Sequence, residues 1–271
     1  MKAMSRAAGT RPISEMGFDA HWLDLREPAD LRARDASLLT RAVELAGGGA
    51  VLDLGCGTGA TARAFAAAGA AGCDWRFLDN DPALLSHAGA RHPQAALLCG
   101  DLAEVGGLPL KGVRMVAASA LLDLVSEAWL ARLAERLARH GTGFYAALSY
   151  DGVMRWQPED PRDARIRARF NTHQRGDKGF GPALGPEAAP RAAAMLRAQG
   201  FEVQLAPSPW RLGPQETQLQ TALLDGIAGA AQEIGCADAA GWRMARHDML
   251  AQGRAEIGHL DLLALPPAAR G

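Results

Sequence analysis

Residues 51–59 read Val51-Leu52-Asp53-Leu54-Gly55-Cys56-Gly57-Thr58-Gly59. A short apolar run, interrupted by one carboxylate, ends in a turn with three glycines. An alanine-rich stretch to about Ala68 follows. The apolar run suits a buried strand, and alanine favours helix. Glycine accepts positive φ and lets a ligand come close to the backbone. A strand, a glycine turn and a helix in that order put the turn at the carboxyl end of the strand, where open α/β sheets bind ligands.

Two ligand classes use such a turn. A dinucleotide fold needs G-x-G-x-x-G; Gly55 and Gly57 fit, and Ala60 stands in the third-glycine place. A phosphate loop needs G-K-[ST], which is missing. Asp53 is informative: a carboxylate before the first glycine accepts hydrogen bonds from an ammonium or from loop amides and would repel a pyrophosphate.

Working outward, the pattern alternates. Residues 19–46 read as helical, with Leu38, Leu39, Ala42 and Val43 on one face and three glycines at the end. Further strands are expected at 75–79, 95–99, 113–118 and 144–148. A helix starts at Pro82, whose ring suits a first turn, and another carries Trp129, Leu130, Leu133 and Leu137. Alternating strands and helices predict a parallel sheet covered on both faces. After Tyr150 the pattern changes. Asp160-Pro161 is expected to open a short helix with Ile166 and Phe170 on one face, and the Gly/Pro-rich residues 176–186 resist regular structure. Helix is expected again at 187–199, 214–234 and 238–252, with a sixth strand at 200–205 and a seventh at 259–265.

The predicted fold is therefore α/β: a Rossmann-like doubly wound, mostly parallel seven-stranded sheet with helices on both faces and helical cap insertions. Residues 1–17 read as a mobile tail and 18–271 as a single domain. Within it, 18–46 form an N-terminal helical cap, 47–150 the cofactor-binding core, 151–186 an insertion or lid, and 206–256 a helical insertion before the last strand.

The chain has 271 residues, 48% hydrophobic and 22% charged, with a formal net charge of -1. That balance builds a globular core and gives no general attraction to nucleic acid or anionic membrane. No run of about 20 apolar residues suggests a membrane span, and no leader-like apolar segment opens the chain. The four cysteines form no C-x-x-C pair and no zinc spacing with histidine. They read as reduced thiols in a cytoplasmic protein that needs no metal.

The glycine run resembles the first motif of the class I S-adenosylmethionine-dependent methyltransferases, and further resemblances follow in order. Asp79 closes the second strand where that family holds the ribose diol, with Asn80 beside it. Gly100-Asp101-Leu102 closes the third strand where the family holds the adenine. Ser119 and Asp123 close the fourth strand, near the methyl group. The resemblance is clear over about 45–150 and weaker over 187–205 and 259–265. It departs from the family at Arg114, where an acidic residue is common. It lacks the [DNS]-P-P-[YFW] motif of enzymes that methylate base amino groups. FNTHQR, SPWRLG and GHLDLLALP resemble a poorly characterised bacterial branch of small-molecule methyltransferases.

The resemblance implies S-adenosylmethionine as cofactor, leaving as S-adenosylhomocysteine. Asp53, Gly55, Cys56, Gly57, Gly59, Asp79, Asn80, Asp101, Leu102 and Ser119 would surround it. It also implies methyl transfer to a small-molecule acceptor through O, N or S. His173 and Asp123 are the candidate catalytic residues, since either could take a proton. Arg175, Lys178, Tyr150 and Arg34 are the candidate substrate contacts. Plain alternatives stand beside them: a helix cap for Asp123, a solvated surface ring for His173, and a charged helix face for the seven basic residues of 155–178. Competing functions are a non-catalytic S-adenosylmethionine-binding protein, an NAD(P)-dependent oxidoreductase, and a protein or RNA methyltransferase. No nucleic-acid or membrane partner is expected, and a homodimer is left open.

Overall fold

The computed structural model describes residues 19–70 and 72–267; the tail expected over 1–17 lies outside them. The elements run α1 (Ala20–Ala33), α2 (Ala36–Ala46), β1 (Ala50–Leu54), α3 (Ala60–Ala67), β2 (Asp74–Asp79), α4 (Pro82–Arg91), β3 (Ala96–Cys99) and β4 (Val113–Ser119). They continue with α5 (Glu127–His140), β5 (Gly143–Gln157), α6 (Asp163–Gln174), α7 (Ala188–Ala198) and β6 (Glu202–Pro207). The last are β7 (Trp210–Leu212), α8 (Thr217–Glu233), α9 (Ala239–Asp248) and β8 (Arg254–Leu265).

The sheet order is β3-β2-β1-β4-β5-β8-β6. β1 to β5 pair in parallel, while β8 runs antiparallel to both β5 and β6. This is a Rossmann-like, doubly wound arrangement with antiparallel strands at one edge. The expected seven strands make that path. The eighth is β7, three residues that pair with β8 and are too short to leave a periodic signal.

Two apolar layers sandwich the sheet. Leu52, Leu54, Val116, Ala118, Phe144 and Ala146 meet α5 and α7 on one face. Val51, Met115, Ala117, Tyr145 and Ala147 meet α2 and α3 on the other. Strict alternation puts Asp53 on the α2/α3 face with Val51.

The helical stretch expected over 19–46 is two helices. Arg34 leaves helical geometry at φ -51°, ψ 136°, and the Asp35 carboxylate caps α2 by accepting from Leu38 N at 2.8 Å. The short helix expected from Asp160-Pro161 begins at Asp163 instead, because Asp160 spends its carboxylate on the backbone and side chain of Arg162.

The larger difference lies at the crest. β5 continues to Gln157 and β8 starts at Arg254, so both outrun the expected 144–148 and 259–265. Beyond the crest they form a ribbon that carries a second core. Met154, Trp156, Trp210, Leu212, Ala255 and Ile257 pack there against Ile166, Leu224, Ile227 and Trp242 of α6, α8 and α9. The opening of the segment expected as an insertion is thus strand. A bulge marks the change: Leu148 takes φ +58°, and its amide donates to Asp261 Oδ1 at 2.8 Å.

Candidate cofactor and acceptor site

The glycine loop is held from beneath. Gly55 N and Cys56 N both donate to the Leu78 carbonyl, at 2.8 and 3.2 Å. Gly57 N donates to Asp79 Oδ2 at 2.9 Å, and Asp81 N to Asp79 Oδ1 at 3.0 Å. Gly55, Gly57 and Gly59 take φ of +63°, +53° and +81°, in the left-handed region that favours glycine. A Cβ on Gly57 would lie 2.8 Å from Leu23 of α1, so α1 crosses close over the loop. Glu27 of α1 grips Arg63 of α3 with two bonds, at 2.5 and 2.6 Å, and Asp24 grips Arg91 of α4 with two at 2.7 Å.

Asp53 is fully buried, and neither carboxylate oxygen has a hydrogen-bond partner. Burial pushes it up to about 7; Arg34 and Thr61 pull the other way. Arg34, also buried, donates to Ser119 Oγ at 2.9 Å and to Tyr145 Oη at 3.5 Å, while its Nε has no partner. Thr61 Oγ1 lies 3.1 Å from Ser119 Oγ. Burial opposes the Arg34 charge, but Tyr145, Asp30 and Asp261 more than offset this, and the guanidinium stays firmly protonated. A buried carboxylate and a buried guanidinium thus stand at the end of β1 with bonding capacity left, and no ion pair joins them. An unpaired buried charge costs free energy, and a zwitterionic ligand would relieve both.

The other expected cofactor residues are distributed along the crest. Asp79 is buried at the end of β2; each of its oxygens already accepts one loop amide and has a lone pair free for a diol. Asn80 is exposed beside it. Asp101 is exposed, accepts from Ala103 N at 2.8 Å, and sits one residue past the turn that ends β3. Leu102 is buried, and its carbonyl accepts from Trp129 Nε1 at 2.7 Å. Burial raises the Cys56 thiol, which suits a compact neutral side chain and not a nucleophile.

The expected acceptor-side residues fall into two groups. Asp123, in a 3-10 turn after β4, and Tyr150, on β5, are both buried. Asp123 Oδ1 has no partner, and burial pushes the carboxyl up to about 6, against the pull of nearby Arg26 and Lys178. Tyr150 Oη donates to Asn171 Oδ1 at 2.7 Å. His173, Lys178 and Arg175 lie at the end of α6 and in the loop after it. His173 Nε2 meets Glu233 of α8 at 2.8 Å and Nδ1 meets Lys178 Nζ at 3.4 Å, so both ring nitrogens are engaged. Arg175 is exposed and reaches only the Asn171 carbonyl, at 3.3 Å. Lys178 and Arg175 thus stay with the end of α6, whereas Asp123 and Tyr150 are buried residues of the sheet side.

Three further buried groups were not singled out individually by the sequence, although His259 and Asp261 lie in the GHLDLLALP motif. Asp261 accepts from Asp35 N, Leu148 N and Ser208 Oγ, at 2.9, 2.8 and 2.6 Å, and so ties the α1–α2 joint, the β5 bulge and the β6–β7 turn. His259 pairs with Tyr150 in the β5–β8 register. Arg26 is locked to Asp30 by two bonds, at 2.9 and 3.2 Å. Among the described residues, no cluster of three His, Cys, Asp or Glu side chains could hold a metal, and no helix is long and apolar enough to cross a membrane.

Residues 51–141, which span the glycine loop, Asp79, Asp101 and Asp123, match the model of a methyltransferase domain. The match covers about a third of the chain and identifies that segment as similar to a methyltransferase domain. No curated protein matches this chain. Among solved structures it is similar to a sugar N-methyltransferase from Streptoalloteichus sp., at 18% identity and a TM-score of 0.47, covering 75% of this chain and 92% of that one. It is also similar to a protein described as a sarcosine dimethylglycine methyltransferase from Galdieria sulphuraria, at 12% identity and a TM-score of 0.45, covering 85% of each. A third likeness is human N-acetylserotonin methyltransferase, solved with S-adenosylmethionine, at 18% identity and a TM-score of 0.40. That match covers 67% of this chain, which spans about half (48%) of the human chain.

Proposed function

We propose that this chain transfers the methyl group of S-adenosylmethionine to a small molecule held between the sheet crest and the helical cap. The observation that carries the reading is the facing pair of incompletely satisfied charges, Asp53 and Arg34, next to a glycine loop fixed by Asp79. Asp53 would take the ammonium and Arg34 the carboxylate of the cofactor's amino-acid end. Asp79 would take the ribose hydroxyls, and Asp101 with Leu102 would border the adenine. When bound, the cofactor supplies an electrophilic methyl on a sulfonium.

The chain's own work is to orient and to exclude water. Ser119 and Thr61 fix Arg34; α1 covers the loop; Asp123 stands after β4 with a carboxylate free to receive a proton from the acceptor. Holding two reactants in line can supply several kcal/mol, on the order of 7–11 in the best cases. His173 and Lys178 belong to the rim, where the Glu233 contact fixes α6 to α8. The near-neutral charge and the enclosed position of Asp123 favour a small acceptor over a polymer.

Calorimetric titration with S-adenosylhomocysteine tests this directly. Micromolar binding that is lost in Asp79→Ala supports it. A folded protein that ignores the ligand, and binds a nicotinamide dinucleotide instead, overturns it.

A further inference from the structure

Between β3 and β4 the chain forms one 3-10 turn, Val105–Gly107, and is otherwise irregular. Its first residues border the glycine loop. Gly100 N donates to the Asp79 carbonyl at 3.0 Å, and a Cβ on Gly55 would lie 3.6 Å from Leu102 Cδ1. Helix α5 holds this segment from outside. Trp129, 1% exposed, donates its indole N–H to the Leu102 carbonyl at 2.7 Å. Arg136, about two helical turns later, donates to the Leu108 carbonyl at 2.7 Å. Phe180 of the Gly/Pro-rich segment 176–186 meets the Trp129 ring edge-on, with centroids 5.8 Å apart and planes at 76°. That segment is pinned just before α5, where Leu184 N donates to the Val125 carbonyl at 2.9 Å.

The Leu102 carbonyl and the Ala103 N–H belong to one peptide unit, which is planar. Fixing the carbonyl therefore fixes the direction of the N–H. That N–H donates to Asp101 Oδ1 at 2.8 Å. A buried indole on α5 thus sets the orientation of an exposed carboxylate on the crest, through a single peptide plane.

We propose that Trp129 is the positioning residue for the base of the cofactor, and that it selects a base carrying an exocyclic amino group. The inference rests on the methyltransferase reading, which lays the ligand from Asp53 on β1 past Asp79 on β2 to the end of β3, along the sheet order β1-β2-β3. There Asp101 Oδ2 accepts from the amino group, while an oxo group in its place sets two acceptors against each other. Phe180 stiffens the indole, so the segment 176–186 supports base recognition through Trp129.

The test titrates the full chain calorimetrically with S-adenosylhomocysteine and with S-inosylhomocysteine, whose bases carry an amino and an oxo group. The wild type should prefer the adenosyl ligand by ~10-fold or more, as for a hydrogen bond to a charged acceptor. Trp129→Phe keeps a ring and removes the N–H, and should cut that preference by ~5-fold or more. In an Asp101→Ala background the same substitution should leave the preference unmoved, because the two act as one unit. Arg136→Met frees the far end of the segment; it should lower the melting temperature and spare the preference, which separates positioning from mere support. If Trp129→Phe does not fold, Phe180→Ala takes its place and should cut the preference by ~3-fold, the scale of an aromatic pair. A preference that survives the folded variant, or that Arg136→Met removes equally, overturns the inference and leaves the methyltransferase reading standing. So does a wild type that binds both ligands equally. A folded wild type that binds neither sinks the methyltransferase reading, and the inference with it.

Discussion

The Gly57 amide donates to Asp79 Oδ2 at 2.9 Å, so the residue that ends the second strand also sets the shape of the glycine loop. Asp79 therefore has two duties, one to the ligand and one to the fold. Asp79→Ala should weaken S-adenosylhomocysteine by ~100-fold, the scale of two hydroxyl bonds to a charged acceptor. It should also destabilise the free protein by about 1–3 kcal/mol, through the orphaned loop amides. Calorimetry and thermal unfolding on the same variant read the two effects apart.

Asp53 gives a pH signature. Its carboxyl is raised from 3.8 to about 7 on folding, chiefly by burial. The folded state then holds a proton that the unfolded state releases between pH 4 and pH 7. Its contribution to stability is present below pH 4 and lost as pH rises through 7. Asp53→Asn should remove that slope and raise the melting temperature at pH 8, while weakening the cofactor. Below pH 7, binding an ammonium should release a proton, visible as a dependence of the binding enthalpy on the buffer.

Cofactor exchange should depend on α1. The Glu27–Arg63 and Asp24–Arg91 contacts and the packing of Leu23 on Gly57 hold this helix across the loop. Paired charges of this partly exposed kind contribute up to about 1 kcal/mol each. Glu27→Gln should speed dissociation of S-adenosylhomocysteine by ~5-fold in stopped-flow, and raising salt on the wild type should move the rate the same way. An unchanged rate under both treatments would remove α1 from the exit path.

His173→Gln separates support from chemistry. Both of its nitrogens are already engaged, by Glu233 and Lys178. Turnover should fall far less than the ~100-fold that follows loss of a general base, with the change falling mainly on KM. A loss of that size in kcat would make His173 the base after all.

Asp261 is the strongest purely structural prediction. Asp261→Ala leaves two backbone amides and a serine hydroxyl without their acceptor, and should cost about 3 kcal/mol or more. Asp261→Asn, which keeps one acceptor oxygen, should cost less. Chemical denaturation of both variants gives the comparison.

What the sequence discloses follows from how local each signal is. The glycine loop, the helix start at Pro82 and the Trp129 face are written in neighbouring residues, and each stands where the pattern puts it. The continuation of β5 is not legible: Asp151-Gly152 looks like a turn, and only the distant pairing with β8 makes 151–157 strand. β7 is three residues long and depends wholly on that same partner. His259 and Asp261 read as polar interruptions in an apolar strand. Their surroundings are set by Asp35 and Ser208 on Asp261 and by Trp210 on His259, far away in the chain. The loop and strand-end candidates are thus local signals, whereas Tyr150, Trp210 and His259 come together only through tertiary pairing.

The ribbon made by β5 and β8 has a mechanical consequence. Because the same two strands run from the sheet, through the bulge at Leu148, into the cap, the cap and the sheet share their backbone. A substitution that shifts β5 or β8 in the cap is therefore transmitted along the same strands to the end of the parallel sheet.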